Sequence, residues 1–359
     1  MDVINGKNFQ SEIKLCTQVS PEVEEDFLTF LEQIGIAYVY AWFTEEQFTY
    51  DFLKDFKGRV NRHGIAVANV GAVHMAKNRD IILGGEGRDA AIQMFQDNIR
   101  MLGEVGIFTT TFTWEPDGVW ASDWDYPTRG GALTRKWDQR ILEEKSFALE
   151  QRYTQIPIHQ RELVDTGYTH QRFYTREEMW ENYRYFIQRV LPTAEQYKVR
   201  LALHPNDPPI DAVAGVSCLI RNFEDYKRAF EIGKSPYLGM EFCCGCCLEA
   251  GERFGDIFQA IPYFQQENKI FLVHFRNVDK TLPCFVETFL DEGYGDMLGI
   301  MKAFVRAGYK GTLVLDHSPR MVGAAGAYGE AAYANGYIRA LLTCAEELVA
   351  SERGGTHDG

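Results

Sequence analysis

Four residues of types that bind divalent metals each end a short apolar run: His204 in Leu201-Ala-Leu-His, Cys243 in Met240-Glu-Phe-Cys, His274 in Phe271-Leu-Val-His and Asp316 in Leu313-Val-Leu-Asp. Two imidazoles, a thiolate and a carboxylate form a mixed donor set that suits Mn2+, Fe2+, Co2+ or Zn2+ without choosing among them. A single residue of this kind is ordinarily a packing, hydrogen-bonding or capping residue. Four in successive, equivalent positions argue for one metal site. His317, next to Asp316, is a candidate general acid or base, because imidazole titrates near neutral pH. Arg276 carries the planar fork that grips a substrate carboxylate, and Lys280 follows it. In His204-Pro-Asn-Asp-Pro-Pro209, prolines fix the loop, and Asn206 and Asp207 supply polar groups beside the metal. Tyr328 stands in a Gly- and Ala-rich stretch, 322–329, flexible enough to close over a ligand.

The run Cys243-Cys-Gly-Cys-Cys247 contains overlapping C-x-x-C pairs. A zinc ribbon needs a second such pair, and isolated cysteines such as Cys218 and Cys284 do not provide it. A thioredoxin-like motif would open a helix near the start of its fold, which this run does not. Free thiols are expected in a chain of this length without a signal sequence.

Positioning the four residues requires strands that end together. Eight strand-like segments, at about 14–19, 37–43, 64–71, 108–114, 199–205, 238–244, 270–277 and 312–317, alternate with helical periodicity. Most are near-continuous apolar runs, as in parallel strands buried on both faces. Ser20-Pro21 reads as a helix start, Thr44–Gln47 and Thr175–Glu178 as capping boxes, and Gly106, Gly233 and Gly308 as helix stops. Eight repeats of strand then helix imply an α/β fold of the (β/α)8 TIM-barrel type, whose chemistry gathers at the C-terminal strand ends. No G-x-G-x-x-G follows a strand, and no phosphate-binding G-x-x-x-x-G-K-[ST] occurs. One barrel domain is expected over 1–350, with a long insertion after strand 4. That insertion, 115–174, is rich in Trp, Asp, Tyr and Arg and reads as a lid over the mouth. A second loop spans 279–295, and 351–359 reads as a disordered tail.

The 359 residues are 45% hydrophobic and 25% charged, ordinary values for a soluble enzyme. A formal net charge of −14 argues against nucleic-acid binding. Residues 1–14 lack the pattern of a signal peptide, and no run reaches the roughly 18 apolar residues of a membrane span. A cytoplasmic protein with no membrane partner is expected.

Taken together, His204-Pro-Asn-Asp-Pro-Pro209, Cys243-Cys-Gly245, Val273-His-Phe-Arg-Asn-Val278, Gly295-Asp-Met297 and Asp316-His-Ser-Pro-Arg-Met321 with Gly336-Tyr337 resemble the D-mannonate dehydratase family, which is similar to the xylose-isomerase-like barrels. The resemblance is densest from Val199 to Leu342 and continues upstream through His74 and Arg88-Asp89. It implies Mn2+ held by His204, Cys243, His274 and Asp316, with His317 and a loop tyrosine, here Tyr328, moving protons. His74, Asn206, Asp207, Arg276 and Arg320 become candidate substrate contacts. The implied reaction is loss of water from D-mannonate to give 2-keto-3-deoxy-D-gluconate, in hexuronate catabolism, by a homo-oligomer. The chain departs from the family at its first strand, Lys14-Leu-Cys-Thr-Gln18, at His74-Met-Ala-Lys77 and at Ala327-Tyr328. Alternatives compatible with the same metal set are a sugar isomerase, epimerase or lyase, and a non-catalytic sugar-acid-binding barrel.

Overall fold

The computed structural model describes residues 11–116, 119–140, 151–152, 172–324 and 326–354. Eight parallel strands form the barrel: β1 Lys14–Val19, β2 Tyr38–Phe43, β3 Ala66–Ala72, β4 Thr109–Thr113, β5 Arg200–His204, β6 Leu238–Cys243, β7 Ile270–His274 and β8 Thr312–Val314. Hydrogen-bonded neighbours run β4-β5-β6-β7-β8-β1-β2-β3. At the seam between β3 and β4 a buried side-chain bond replaces a ladder: Asn69 Nδ2 donates to Thr111 Oγ1 over 2.7 Å. This is the TIM-barrel architecture expected from eight strand–helix repeats. β6 is buried along its whole length, as are β4 and β7.

The outer helices are α1 Glu25–Gln33, α2 Tyr50–Arg62, α3 Arg88–Val105, α4 Arg176–Tyr197, α5 Phe223–Gly233, α6 Ile257–Gln266, α7 Met297–Arg306 and α8 Gly326–Gly354. None is long and apolar enough to cross a membrane. Local signals were partly displaced. The Thr175–Glu178 capping box is present at the start of α4. Thr44 and Gln47 do bond reciprocally, but they close a turn, and α2 begins later under a cap from Thr49. Ser20 caps a turn through Glu22 N, while α1 starts at Glu25 without a side-chain cap. After α5 the left-handed cap is Lys234 rather than Gly233.

The two long loops meet above the C-terminal end of the barrel. From the insertion, strands Asp123–Pro127 and Leu133–Asp138 pair antiparallel; Leu133–Asp138 also pairs with Cys284–Thr288, which pairs with Asn277–Val278. The result is a four-stranded sheet built from both loops. The remaining parts of the lid expected over 115–174, namely 117–118, 141–150 and 153–171, lie outside the described residues. Residues 351–354, expected in a disordered tail, continue α8; 355–359 lie outside the described residues.

Candidate metal centre

Strand register brings the candidate ligands together. Cys243 is the Cα partner of His274, and His274 of Val314, two residues before Asp316. His204 ends β5, opposite Thr113. β8 stops at Val314, short of the expected 317, because Asp316 turns into the left-handed region (φ 69°). Asp is among the few non-glycine residues that tolerate this conformation.

The ligand atoms of Cys243, His274 and Asp316 lie within 4.8 Å of one another, and those of His204, Cys243 and Cys246 do the same. Cys243 joins the two sets, with Sγ 3.9 Å from Asp316 Oδ2. His274 Nδ1 is 3.3 Å from Asp316 Oδ1. The His204 and His274 ring centres are 5.3 Å apart. His204 Nδ1 meets Pro205 O at 2.8 Å, a carbonyl that can only accept, so the proton belongs on Nδ1 and the Nε2 lone pair remains available. Both nitrogens of His274 are buried without an aligned hydrogen bond among the described residues. Convergent, poorly satisfied donors of these types fit a divalent ion.

Charge in the cluster is already arranged as a metal site needs it. Burial alone would push the Cys243 thiol up. Hydrogen bonding from Cys246, the Arg276 charge, and both histidines outweigh burial and hold it well below its ordinary value. The Cys246 backbone N–H donates to its Sγ over 3.4 Å. Burial likewise disfavours an ionised Asp316, yet His274, His317 and Arg276 keep it well below the usual carboxylate range. Burial opposes charge on the two imidazoles, and the neighbouring acids win: Asp316 and Glu241 raise His274 far up, and Cys243 raises His204. A dication entering here would compete with protons for the two imidazoles and would face one thiolate and one carboxylate.

Arg276, expected as a substrate contact, is turned into the protein, where its nitrogens bond to side chains of the chain itself. It is 1% exposed. Its Nε donates to Asp316 Oδ2 (2.9 Å), Nη1 to Glu249 Oε1 (2.7 Å), and Nη2 to Asp207 Oδ2 (3.1 Å) and Cys246 Sγ (3.5 Å). A Cβ at Gly245 would collide with this guanidinium, so the glycine of the Cys-rich run makes room for it. A second buried guanidinium, Arg135 on strand Leu133–Asp138, pairs with Asp207 (2.7 Å) and Glu287 (3.0 Å) and donates to Trp120 O. The expected substrate contact Asp207 is therefore enclosed by two arginines. Asn206 is also a structural clamp: Oδ1 accepts from Leu219 N and Ile220 N, and Nδ2 donates to Trp114 O.

His317 sits at the cluster, with Nδ1 2.7 Å from Glu287 Oε2 and Nε2 3.4 Å from Asp316 Oδ2. Other expected residues lie elsewhere. Arg320 pairs with Asp125 and donates to Trp124 O, tying the insertion to the segment after β8. His74 stands on a short helix after β3, its Nε2 3.2 Å from Asn98 Nδ2, and burial lowers its basicity. Tyr328 lies in the first turns of α8, where its ring packs edge-on against Phe27 (5.1 Å) and Phe30 (4.8 Å) of α1. It is a helix–helix contact here, not part of a loop over the ligand cluster.

Sequence reading missed Arg135, Glu249, Glu287 and the buried pair of Lys77 with Glu115, at 2.5 Å. Glu115 Oε2 also accepts from Asp207 N, joining the insertion's start to the loop after β5. Isolated charges inside apolar or aromatic runs were the available signal, as with Glu241 in β6.

The family model described as D-mannonate dehydratase matches residues 30–350. A mannonate dehydratase from Enterococcus faecalis is 30% identical over 284 residues, covering 74% of this chain and 76% of that protein. Among solved structures, a mannonate dehydratase from Streptococcus suis serotype2 superposes with a TM-score of 0.76 at 24% identity, covering 94% of this chain and 96% of that one. A xylose isomerase domain protein from Planctomyces limnophilus shares the fold at a TM-score of 0.57 and 12% identity, over 95% and 99% of the chains. With its barrel, its strand-end donor set and a match spanning most of its length, the chain belongs to the D-mannonate dehydratase family.

Proposed function

We propose that the chain is a metal-dependent hydro-lyase of sugar acids that converts D-mannonate to 2-keto-3-deoxy-D-gluconate and water. The observation that carries this reading is the convergence of Cys243, His274 and Asp316, joined through Cys243 to His204, with His317 beside Asp316. His204, Cys243, His274 and Asp316 would hold the ion, Mn2+ in this reading. When bound, it supplies Lewis-acid stabilisation of the negative charge that builds on the substrate carboxylate and 2-oxygen as the C2 proton leaves.

The chain's own residues supply position and proton transfer. Arg276 fixes the Asp316 carboxylate from behind. Glu287 engages His317 Nδ1, which leaves Nε2 on the side of the cluster. His317 Nε2 takes the C2 proton or delivers one to the departing C3 hydroxyl. In balance, the C2–H and C3–O bonds break, a C2–C3 double bond forms, the hydroxyl leaves with a proton as water, and the enol ketonises at C2. Arg135 ties the insertion to Glu287, the partner of His317, and so helps to hold the proton-transfer group in place. Family membership supports a cytoplasmic role in hexuronate catabolism.

Purified protein loaded with Mn2+ and offered a panel of aldonates should release a 2-keto-3-deoxy acid from D-mannonate, followed by NMR. No keto-deoxy product from any aldonate would overturn the reading.

A further inference from the structure

Glu241 is the acidic residue in β6, Leu238-Gly-Met-Glu-Phe-Cys. It precedes Cys243 by two residues, and side chains two apart on a strand share one face, so both project to the same side of β6. Glu241 is 1% exposed, and among the described residues neither of its carboxylate oxygens has a hydrogen-bond donor. A buried carboxylate without donors is costly unless a cation meets it. The group that meets it is His274, whose Nε2 lies 2.5 Å from Glu241 Oε1, in ion-pair contact but not aligned as a hydrogen bond.

The two edges of the His274 ring thus face different partners. Nδ1 looks toward Asp316 Oδ1 at 3.3 Å, on the side where Cys243, His274 and Asp316 converge. Nε2 looks toward Glu241, which is not part of that converging set. His204 has the same division of labour, with Nδ1 on the Pro205 carbonyl. A ligating histidine ordinarily gives its second ring N–H to a carboxylate or carbonyl, which fixes its tautomer and orientation and raises its basicity as a ligand.

We propose that Glu241 is a positioning residue for the metal centre: it holds Nε2–H of His274 so that the Nδ1 lone pair is presented to the ion. Glu241 acts through His274 and does not itself ligate. The inference rests on the metal-site reading given above, and goes beyond it by assigning a role to a residue outside the four ligands.

The test uses the whole chain, stripped with chelator and titrated with Co2+ and with Mn2+. Apparent Kd comes from calorimetry, coordination from the Co2+ absorption spectrum, and folding from the melting temperature in chelator. Wild type should bind one ion with a thiolate-to-cobalt charge-transfer band. Cys243→Ser should lose that band. Glu241→Ala should keep the band while its Kd weakens about 10- to 100-fold. Glu241→Gln, whose side-chain carbonyl can still accept from Nε2–H, should recover most of the affinity. Failure of wild type to bind an ion would sink the metal-site reading itself. Normal wild-type binding with Glu241→Ala at unchanged Kd would overturn the Glu241 assignment alone. So would a Glu241→Ala spectrum showing loss of one ligand, which would make Glu241 a direct ligand. Equal weakening by Glu241→Gln and Glu241→Ala would also overturn it, since orientation of the ring would then not be what the residue provides.

Discussion

Arg276 Nε donates to Asp316 Oδ2 over 2.9 Å, so the last ligand of the cluster is held from behind by a guanidinium. That guanidinium is itself enclosed by Glu249, Asp207 and Cys246. The arrangement makes Arg276 part of the frame that aims the ligands, because each of its nitrogens is already committed to a side chain of the protein. Planar, multiply bonded geometry of this kind is not reproduced by an ammonium.

Arg276→Met should therefore cost about 3–5 kcal/mol of folding stability, the range for removing one partner of a buried ion pair. Arg276→Lys should recover only part of it. Urea unfolding of the chelator-treated protein at pH 7 measures both. Loss below 1 kcal/mol in Arg276→Met would show that the surrounding acids do not depend on it.

His317 is engaged by Glu287 at one nitrogen and faces Asp316 with the other. It is outside the four proposed ligands, so chemistry and metal loading can be separated. His317→Asn should lower kcat for aldonate dehydration by about 10²–10⁴-fold, with metal stoichiometry by elemental analysis unchanged. An equal fall in bound metal would make it a support of the metal centre instead of a proton-transfer group.

How the site was legible depends on how local its determinants are. His204, Cys243, His274 and Asp316 end successive apolar runs, so chain order and strand period were enough to bring them together. Arg276 was noticed for its type, but its partners come from the segments after β5 and β6 and from beyond β8, and nothing local tells that they saturate it. Arg135 lies in the long insertion, where the deciding fact is a sheet formed with the distant strand Cys284–Thr288. Such cross-loop pairing leaves no periodic mark in either segment. Tyr328 stands in a Gly- and Ala-rich stretch that reads as a loop, but the chain is helical from Gly326 and the tyrosine ring packs on α1.

Tyr328→Phe keeps the ring that packs on Phe27 and Phe30 and removes only the hydroxyl. It should leave turnover within twofold and stability within about 0.5 kcal/mol, whereas Tyr328→Ala should lose about 1–3 kcal/mol from that contact. Aldonate turnover and thermal unfolding check the pair. A large fall in kcat for Tyr328→Phe at unchanged stability would restore the hydroxyl to the chemistry.

The buried acids around the two arginines differ in sign. Burial pushes Glu287 up, but His317, Arg276 and Arg135 together hold it below the usual carboxylate range. Asp207 is lowered too, its burial offset by Arg135 and Arg276. Glu249 goes the other way: burial dominates, and Asp207 and Glu287 add to it, so it is raised well above its ordinary value despite both arginines. Its Oε2 has no hydrogen-bond partner among the described residues. Groups with lowered native values contribute stability that is complete above their unfolded values, about 4, and is lost as pH falls through the native ones. Glu249 contributes fully below about 4.3, and that contribution is lost as pH rises through its native value. Glu287→Gln should thus be about 1–3 kcal/mol less stable than the parent at pH 7 and converge with it below about pH 4. Glu249→Gln retains a carbonyl oxygen for Arg276 Nη1 and should match or exceed the parent at pH 7–8, with the advantage gone near pH 4. Urea unfolding of the metal-free proteins across pH 3–8 reads both trends. A Glu249→Gln difference that does not change with pH would mean that Glu249 is ionised in the native protein and that the two arginines carry all of its charge.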